Sequence, residues 1–183
     1  YKYKKQSGGH GQYGHVKMTF EPSGDMDTPY VFEQTVVGGA VPKNFFPAVE
    51  KGIAESVKKG PLAAYPVTGI KAVLYDGSYH PVDSSEMAFK VATQQAFKKG
   101  IMEAKPVLLE PIATLKVVVP EGYTGDVMGE LNKRRARVMG MNPTDNGYQE
   151  IVADIPYLEL YGYNATLRSM TSGSGTFSYE FLR

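Results

Sequence analysis

The longest helix that the sequence predicts is entered through the stretch Gly77-Ser78-Tyr79-His80-Pro81-Val82-Asp83-Ser84-Ser85-Glu86 and extends to about residue 104. Asp83 and Glu86 have the spacing of a capping box, in which the Asp83 side chain accepts the Glu86 amide. Val82 and Met87 stand at the two positions of a hydrophobic staple around that box. This double support predicts a rigid turn that presents Tyr79-His80-Pro81 just outside the helix.

The overall composition is that of a globular chain without a strong charge bias. It has 183 residues, 42% of them hydrophobic, and a net charge of +1. There is no cysteine, which excludes disulfides and thiolate metal sites and favours a reducing compartment. No apolar run has the length of a membrane span and nothing resembles a signal peptide, so we expect a cytoplasmic protein. Because Tyr1 falls inside a predicted strand, we expect the chain to be part of a longer protein.

The first part of the chain combines strands with a glycine-rich segment. Four glycines occur in Ser7-Gly8-Gly9-His10-Gly11-Gln12-Tyr13-Gly14, which predicts a backbone that turns tightly or approaches a ligand closely. The segment is not a nucleotide-binding P-loop, because no Gly-Lys-Ser/Thr follows the glycines. We predict strands at residues 16–20, 30–37 and 67–75, and a helix at residues 45–59 that ends at Gly60-Pro61.

The order of elements changes near Lys105-Pro106, where we place a domain boundary. The second part predicts a strand at residues 112–119, a helix at 124–138, a further strand before the turn at Asn146-Gly147, a strand at 148–155, a helix at 157–170 and a strand at 176–182. Asn146-Gly147 between two of these strands is a strong hairpin signal. The order βαββαβ is that of the ferredoxin-like unit, which hosts many functions and therefore indicates none by itself.

Several long motifs resemble bacterial translation elongation factor G, in order and over essentially the whole chain. They are Gln6-Ser7-Gly8-Gly9-His10-Gly11-Gln12-Tyr13-Gly14-His15-Val16, Gly60-Pro61-Leu62-Ala63, Gly77-Ser78-Tyr79-His80, Val82-Asp83-Ser84-Ser85-Glu86, Lys105-Pro106-Val107-Leu108-Leu109-Glu110-Pro111, Thr124-Gly125-Asp126-Val127 and Leu167-Arg168-Ser169. The resemblance assigns residues 1–108 to domain IV of that family and residues 109–183 to domain V. It implies an α+β protein, with a unit like ribosomal protein S5 domain 2 followed by a ferredoxin-like unit.

The resemblance also implies a function at the ribosome. Domain IV of the family mimics the anticodon arm of tRNA and enters the decoding region of the small subunit, where it promotes translocation of tRNA and mRNA. Domain V lies near the factor-binding rRNA of the large subunit. The implied partners are the ribosome, tRNA and mRNA, with no membrane, and we expect a monomer. GTP and Mg²⁺ would bind to the catalytic domain of the parent protein, so we expect no cofactor, metal or catalytic residue in this fragment.

Two sets of residues are the candidate RNA contacts. The family's tip consists of two loops, which correspond here to Ser7, Gly8, Gly9, His10, Gly11, Gln12 and Tyr13, and to Ser78, Tyr79, His80 and Pro81. Aromatic rings can stack on bases, and glycine amides can approach phosphates. The second set is a basic cluster at a predicted helix end, formed by Lys133, Arg134, Arg135 and Arg137, which suits rRNA phosphates. Its alternative interpretation is a charge balance for the helix C-terminus.

Three positions depart from the family pattern. His10 and Ser174 stand where arginine is common, and Pro81 stands where aspartate is common. These changes reduce the fixed positive charge, and Pro81 stiffens its loop while removing an amide donor. A paralogue of elongation factor G that acts in ribosome recycling or rescue is therefore an alternative within the family.

Other functions stay open at this point. A free-standing RNA-binding protein is one, although residues 148–154 lack the paired aromatics with which ferredoxin-like sheets stack bases. An enzyme is another, and Ser78, His80 and Asp83 would be its catalytic set, but residues so close in sequence rarely form a triad. His10, His15 and His80 could in principle bind a metal, yet no fitted carboxylate accompanies them. Finally, His80 could be an ordinary surface histidine.

Overall fold

Two separate four-stranded sheets, each with its own helices, organise the chain. The computed structural model describes residues 1–6 and 8–182. The chain divides into two units, Tyr1–Leu108 and Leu109–Arg183, and no strand of one unit pairs with a strand of the other within the described residues. No helix in that part of the chain is long and apolar enough to cross a membrane.

The first unit has four strands and two helices, and its sheet has the order β1-β2-β4-β3. Strands β3 and β4 are parallel, and the other neighbours are antiparallel. Its elements are β1 (Lys2–Lys5), β2 (Gln12–Pro22), β3 (Tyr30–Gln34), α1 (Phe46–Ser56), β4 (Ile70–Ser78) and α2 (Glu86–Glu103). A 3-10 turn at Lys43–Phe45 precedes α1. The predicted strands and both helices are therefore present, with bounds shifted by a few residues.

Both helices of the first unit pack on the same face of its sheet. Alternate strand residues, such as Val16 and Leu74, meet Val49 of α1 and Phe89 of α2 in one buried cluster. The helices approach closely at Gly52, where a Cβ atom would lie 2.9 Å from the Thr93 side chain. The opposite face of the sheet carries no helix, and its outward side chains alternate with the core residues because strand side chains have a period of two.

The start of α2 differs from the prediction. Its N-cap is Ser85, whose backbone is extended and whose side chain accepts the Ala88 amide at 3.1 Å. The predicted capping box of Asp83 and Glu86 is therefore wrong, because Asp83 is used elsewhere and Glu86 is the first helical residue. The staple is wrong for the same reason, and Val82 and Met87 are 63% and 56% exposed.

The second unit has the predicted ferredoxin-like order. Its sheet runs β6-β7-β5-β8 with every pair antiparallel, as βαββαβ connectivity requires. Its elements are β5 (Ile112–Pro120), α3 (Thr124–Lys133), β6 (Arg137–Thr144), β7 (Tyr148–Pro156), α4 (Tyr163–Met170) and β8 (Thr176–Phe181). Asn146 and Gly147, both with positive φ, form the predicted turn between β6 and β7. Leu115, Ile151, Leu131 and Leu167 belong to the buried core.

Both helices of the second unit are shorter than predicted. Helix α3 ends at Lys133 rather than at residue 138, because Arg135 adopts a left-handed conformation with a φ of 59°. The amides of Ala136 and Arg135 donate to the carbonyls of Leu131 and Asn132, which is the Schellman arrangement of a helix end. Helix α4 begins at Tyr163 rather than at residue 157, because a 3-10 turn and Gly162 with a φ of 71° come first.

Candidate nucleic-acid interface

Two loops lie side by side at one end of the first unit, and we call them together the tip. They are residues 6 and 8–11, between β1 and β2, and residues 79–85, between β4 and α2. The Gly11 amide donates to Asp83 Oδ1 at 3.0 Å, and this contact joins the loops across 72 positions of sequence. A Cβ atom at Gly11 would lie 2.9 Å from Asp83 Oδ2 and 3.1 Å from the Lys5 carbonyl. A larger residue at this position would therefore force Asp83 or the Lys5 carbonyl to shift. Ser7, one of the predicted contacts, lies outside the described residues.

Tyr13 holds the second loop in place with both its backbone and its side chain. Its amide donates to the Asp83 carbonyl at 2.8 Å, and its own carbonyl accepts the Ser84 hydroxyl at 2.9 Å. Its phenol shares a hydrogen bond of 2.7 Å with Ser78 Oγ. The ring of Tyr13 also lies 6.3 Å from that of His80, centroid to centroid. Tyr13 is thus a support of the tip more than an exposed contact.

His80 is oriented by its own turn. Its Nδ1 accepts the amides of Val82 and Asp83 at 3.3 and 3.1 Å, and its amide donates to Ser84 Oγ at 2.8 Å. Asp83 Oδ2 lies 3.5 Å from the same Nδ1, but the two amides need that nitrogen as an acceptor. The neutral ring therefore carries its proton on Nε2. Because the side chain is 49% exposed, Nε2–H is available as a donor to a bound partner.

The remaining groups of the tip are exposed and polar or flat. Gly8 and Gly9 have φ values of 42° and 127°, and His10, Tyr79 and Pro81 are exposed. Nothing lies within 4 Å of a Cβ placed on either glycine, so their backbone is open to a close approach. Free amides, flat rings and a ring N–H are the groups that contact single-stranded RNA and phosphate.

A cleft of about 150 Å³ separates the end of β1 from the second loop. Its lining combines the cation and amide side chains of one edge with the rings and carboxylate of the other, namely Lys4, Lys5, Gln6, Gln12, Tyr13, His80 and Asp83. Gln12, a predicted contact, accepts the Tyr3 phenol at 2.8 Å through its side-chain oxygen. The cleft is therefore a polar recess at the base of the tip.

The alternative catalytic and metal sets do not assemble. Ser78 Oγ contacts Tyr13 and, at 2.8 Å, His15 Nδ1, while His80 Nδ1 accepts the amides of Val82 and Asp83. His15 is instead part of the sheet, where burial, and then the positive charges of the chain's amino group, Lys2 and Lys17, lower its pKa. Within residues 1–6 and 8–182, no three His, Asp or Glu side chains converge as metal ligands.

Two residues of the basic cluster in the second unit bond within the fold, and the other two are exposed. Arg134, with 16% of its side chain exposed, donates to Glu130 Oε1 at 2.8 Å, to the carbonyls of Glu159 and Tyr161, and to Thr166. Arg135 binds both oxygens of Glu110, at 2.7 and 2.9 Å, and one oxygen of Glu159 at 3.0 Å. These contacts raise the pKa of Arg135. Lys133 and Arg137 are exposed. That this cluster contacts rRNA stays a prediction, but two of its four cations already serve the fold.

Sequence reasoning misses the residues that hold the tip together. It assigns Asp83 and Ser84 to the helix start, whereas their contacts with Gly11 and Tyr13 are the connection between the loops. The signal is weak, since Asp83-Ser84-Ser85 offers three adjacent N-cap candidates. Lys4 and Lys5 stand out in the sequence only as part of an alternating strand.

Comparisons with known proteins agree with this organisation. The family model for elongation factor G, domain IV, matches residues 1–105, and the model for the elongation factor G C-terminus matches residues 107–183. An elongation factor G-like protein from Thermotoga maritima is 51% identical over all 183 residues, which are 27% of its length. A crystal structure from Thermus thermophilus matches 100% of the chain with a TM-score of 0.76 and 46% identity, and the chain covers 27% of that structure.

The chain thus spans about a quarter of the length of these relatives. The matches also confirm the predicted α+β fold class of its two units. Because the two family models together match nearly every residue, the chain belongs to the elongation factor G family and comprises its domain IV and its C-terminal domain.

Proposed function

We propose that this chain is the ribosome-binding C-terminal part of a translational GTPase that promotes translocation of tRNA and mRNA. The tip of the first unit enters the decoding region of the small subunit, and the second unit lies near the factor-binding rRNA of the large subunit. GTP and Mg²⁺ bind to another part of the parent protein, since the chain has no Gly-Lys-Ser/Thr phosphate loop.

The joined loops of the tip are the observation that carries this proposal. Asp83 and Tyr13 hold two distant segments together, and the exposed groups that result are a ring N–H, a tyrosine ring and open glycine amides. A surface of this kind recognises RNA by shape, stacking and backbone contacts. Being pre-organised, it loses little conformational entropy on insertion.

Mutation of the tip in the full-length parent protein tests the proposal. We expect His80→Ala to slow mRNA movement by roughly tenfold, equivalent to about 1.4 kcal/mol of transition-state stabilisation. Ribosome-stimulated GTP hydrolysis should persist, because hydrolysis takes place elsewhere in the parent. The same variant of the 183-residue chain should unfold at nearly the wild-type temperature, since the side chain is exposed.

Tyr79 and Tyr65 provide a matched pair for the same assay. Both are exposed tyrosines of the first unit, but only Tyr79 belongs to the tip. We expect Tyr79→Ala to slow mRNA movement and Tyr65→Ala to leave it unchanged. If the tip variants abolish GTP hydrolysis but spare movement, the proposed division of roles is wrong.

A paralogue that acts in ribosome recycling or rescue is the second candidate. The relative from Thermotoga maritima is named as elongation factor G-like, and His10, Pro81 and Ser174 depart from the family pattern. Pro81 is exposed within the second loop of the tip, so it alters the contact surface directly. A parent protein that splits ribosomes into subunits but does not move mRNA would favour this candidate over translocation.

A further inference from the structure

The helix-free face of the first sheet carries a row of side chains that leads to the tip. In the register of β1 and β2, Lys2 lies opposite His15 and Lys4 lies opposite Tyr13. Tyr13 and His15 both hydrogen-bond Ser78 on β4, and Lys2 Nζ lies 5.6 Å from the centroid of the Tyr13 ring. These contacts place the four β1 and β2 residues on one face, away from the helices.

The charges of this face are distributed unequally along the strands. Away from the tip, acidic side chains neutralise the lysines, since Lys17 pairs with Asp76 at 2.7 Å and Lys71 pairs with Glu33 at 3.0 Å. Toward the tip, Lys2 and Lys4 are exposed. Within the part of the chain that the structure describes, neither lysine has an acidic side chain at ion-pair distance.

The environment of His15 is consistent with an excess of positive charge here. The positive charges of Lys2 and Lys17 contribute, after burial, to lowering its pKa. Only Asp76 opposes them, and that carboxylate already pairs with Lys17. Near the tip, this face of the sheet therefore presents cations without acidic partners next to an aromatic ring.

We propose that a strip formed by Lys2 and Lys4, beside Tyr13, binds the phosphate backbone of an RNA strand that continues from the tip. We call it the β1 track. The proposal rests on the proposed function and deepens it, because it extends the RNA contact beyond the two loops. Cations with no acidic partner among the described residues are available to displace the counterions of RNA, which is the main source of electrostatic affinity.

The geometry suits a linear polyanion. Residues two apart in a strand are separated by roughly 6.6 Å, so Lys2 and Lys4 form a row parallel to β1, and their flexible stems adjust to successive phosphates. Lys4 and Lys5 also line the cleft of about 150 Å³ beside His80. The track and the tip therefore form one continuous surface of the first unit.

The test compares two lysine pairs in the 183-residue chain. Binding of a fluorescein-labelled RNA stem-loop is measured by anisotropy at several KCl concentrations. Lys2→Gln with Lys4→Gln removes two charges from the track, whereas Lys58→Gln with Lys59→Gln removes two exposed charges after α1. Thermal unfolding verifies that both variants are folded.

We expect the track variant to weaken binding on the order of tenfold at about 50 mM KCl and to reduce the slope of log K against log salt by roughly 1.5. The Lys58 and Lys59 control should change neither the affinity nor the slope substantially. His80→Ala should weaken binding with the salt slope nearly unchanged, because the track keeps both of its lysines.

Three results would overturn the inference. If the track variant binds as wild type does while His80→Ala binds more weakly, RNA contacts the tip only, and the proposed function stands. If the wild-type chain does not bind the stem-loop at any salt concentration, the track is not an RNA site. The proposed function is then tested independently by mRNA movement in the parent protein. If polyglutamate displaces the RNA as well as a competitor RNA of equal charge does, the partner of the track is an acidic protein segment instead.

Discussion

The tip of the first unit and the arginine corner of the second unit differ in the groups that hold their segments together. We define the arginine corner as Arg134 and Arg135 with Glu110, Glu130 and Glu159. Each region ties together segments that are far apart in sequence by polar contacts. The tip uses backbone amides and carbonyls with Asp83 and Ser84, so its rings remain outward. The corner uses the cations themselves, and their donors are occupied within the unit.

The difference shows when a group of basic residues is available to a partner. A guanidinium has several donors in a fixed fork that matches a carboxylate, so it readily pairs with an acidic side chain that the fold brings near. The lysines of β1 are compact charges on flexible stems, and no acidic residue faces them on their strand or on its neighbour β2 at that level. The density of positive charge in sequence is therefore a weaker guide than the count of internal acceptors.

Replacement of Arg134 should give the largest loss of stability. Arg134→Ala removes a guanidinium that is 16% exposed and leaves Glu130 without its partner. It also removes contacts to Tyr161 and Thr166 and the stacking of the guanidinium on Tyr163, at 5.2 Å. Loss of one partner of a largely buried ion pair costs about 3 kcal/mol. Denaturant unfolding of the second unit measures this loss.

Lys133→Ala is the matched control for that experiment, since Lys133 is the exposed neighbour of Arg134 in the same helix end. Its effect on the free energy of unfolding should lie within about 0.5 kcal/mol. Equal losses for the two variants would show that the corner does not depend on the donors of Arg134, and the contrast with the tip would fail.

Substitution of Asp83 and of Ser85 should separate the tip from the helix beside it. Asp83→Ala removes the acceptor of the Gly11 amide, and Ser85→Ala removes the N-cap acceptor of the Ala88 amide. Each change should cost about 1 kcal/mol. Hydrogen exchange should accelerate at Gly11 in the first variant and at Ala88 in the second. Faster exchange at Ala88 in Asp83→Ala would show that Asp83 caps the helix after all.

Features with local causes were predictable from the sequence. The βαββαβ order and the Asn146-Gly147 turn follow from the periodicity of apolar residues and from turn chemistry. The cap of α2 was not predictable, because the choice among Asp83, Ser84 and Ser85 depends on which of them Gly11 and Tyr13 engage from a distant loop.

The end of α3 and the role of its cations could not be predicted from the sequence for a similar reason. A left-handed residue after a helix is usually glycine, and here it is Arg135. Its carboxylate partners, Glu110 and Glu159, are 25 and 24 positions away. The sequence shows four basic residues close together but not the acids that the fold brings to two of them.

Removal of the Tyr163 hydroxyl should stabilise the second unit. The hydroxyl is buried without a hydrogen-bond partner among the described residues, and burial raises the pKa of Tyr163 to about 12. Tyr163→Phe should therefore raise the free energy of unfolding by about 1 kcal/mol at neutral pH.

Alkaline unfolding adds a second readout for the same variant. Because the folded pKa of Tyr163 exceeds its ordinary value of 10.0, the wild-type chain should lose stability relative to Tyr163→Phe as the pH rises from about 10 toward 12. A destabilised phenylalanine variant would mean that the hydroxyl has a bonding partner, and the corner would then contain a further polar contact.

The smallest expected effect is the pH dependence of Arg135→Gly. Glycine relieves the left-handed backbone at this position, where Arg135 has a φ of 59°, but it removes the ion pairs with Glu110 and Glu159. The hydrogen bond from Arg135 is the largest cause that lowers the pKa of Glu110 below its ordinary value of 4.5. The stabilisation by this pair is therefore present above pH 4.5 and is lost as the pH falls through the lowered pKa.

Thermal unfolding of Arg135→Gly and the wild-type chain between neutral pH and about pH 3 tests this sign. The thermal stability of the variant relative to the wild type should increase as the pH falls, because only the wild type loses the ion pair. Ser172→Gly is the control, since Ser172 also has a positive φ, 51°, but no charge, and its effect should not change with pH. If the difference between Arg135→Gly and wild type stays constant as Glu110 is protonated, the corner is held by packing rather than by its ion pairs. The guanidinium of Arg135 would then be as available to RNA as the lysines of the β1 track.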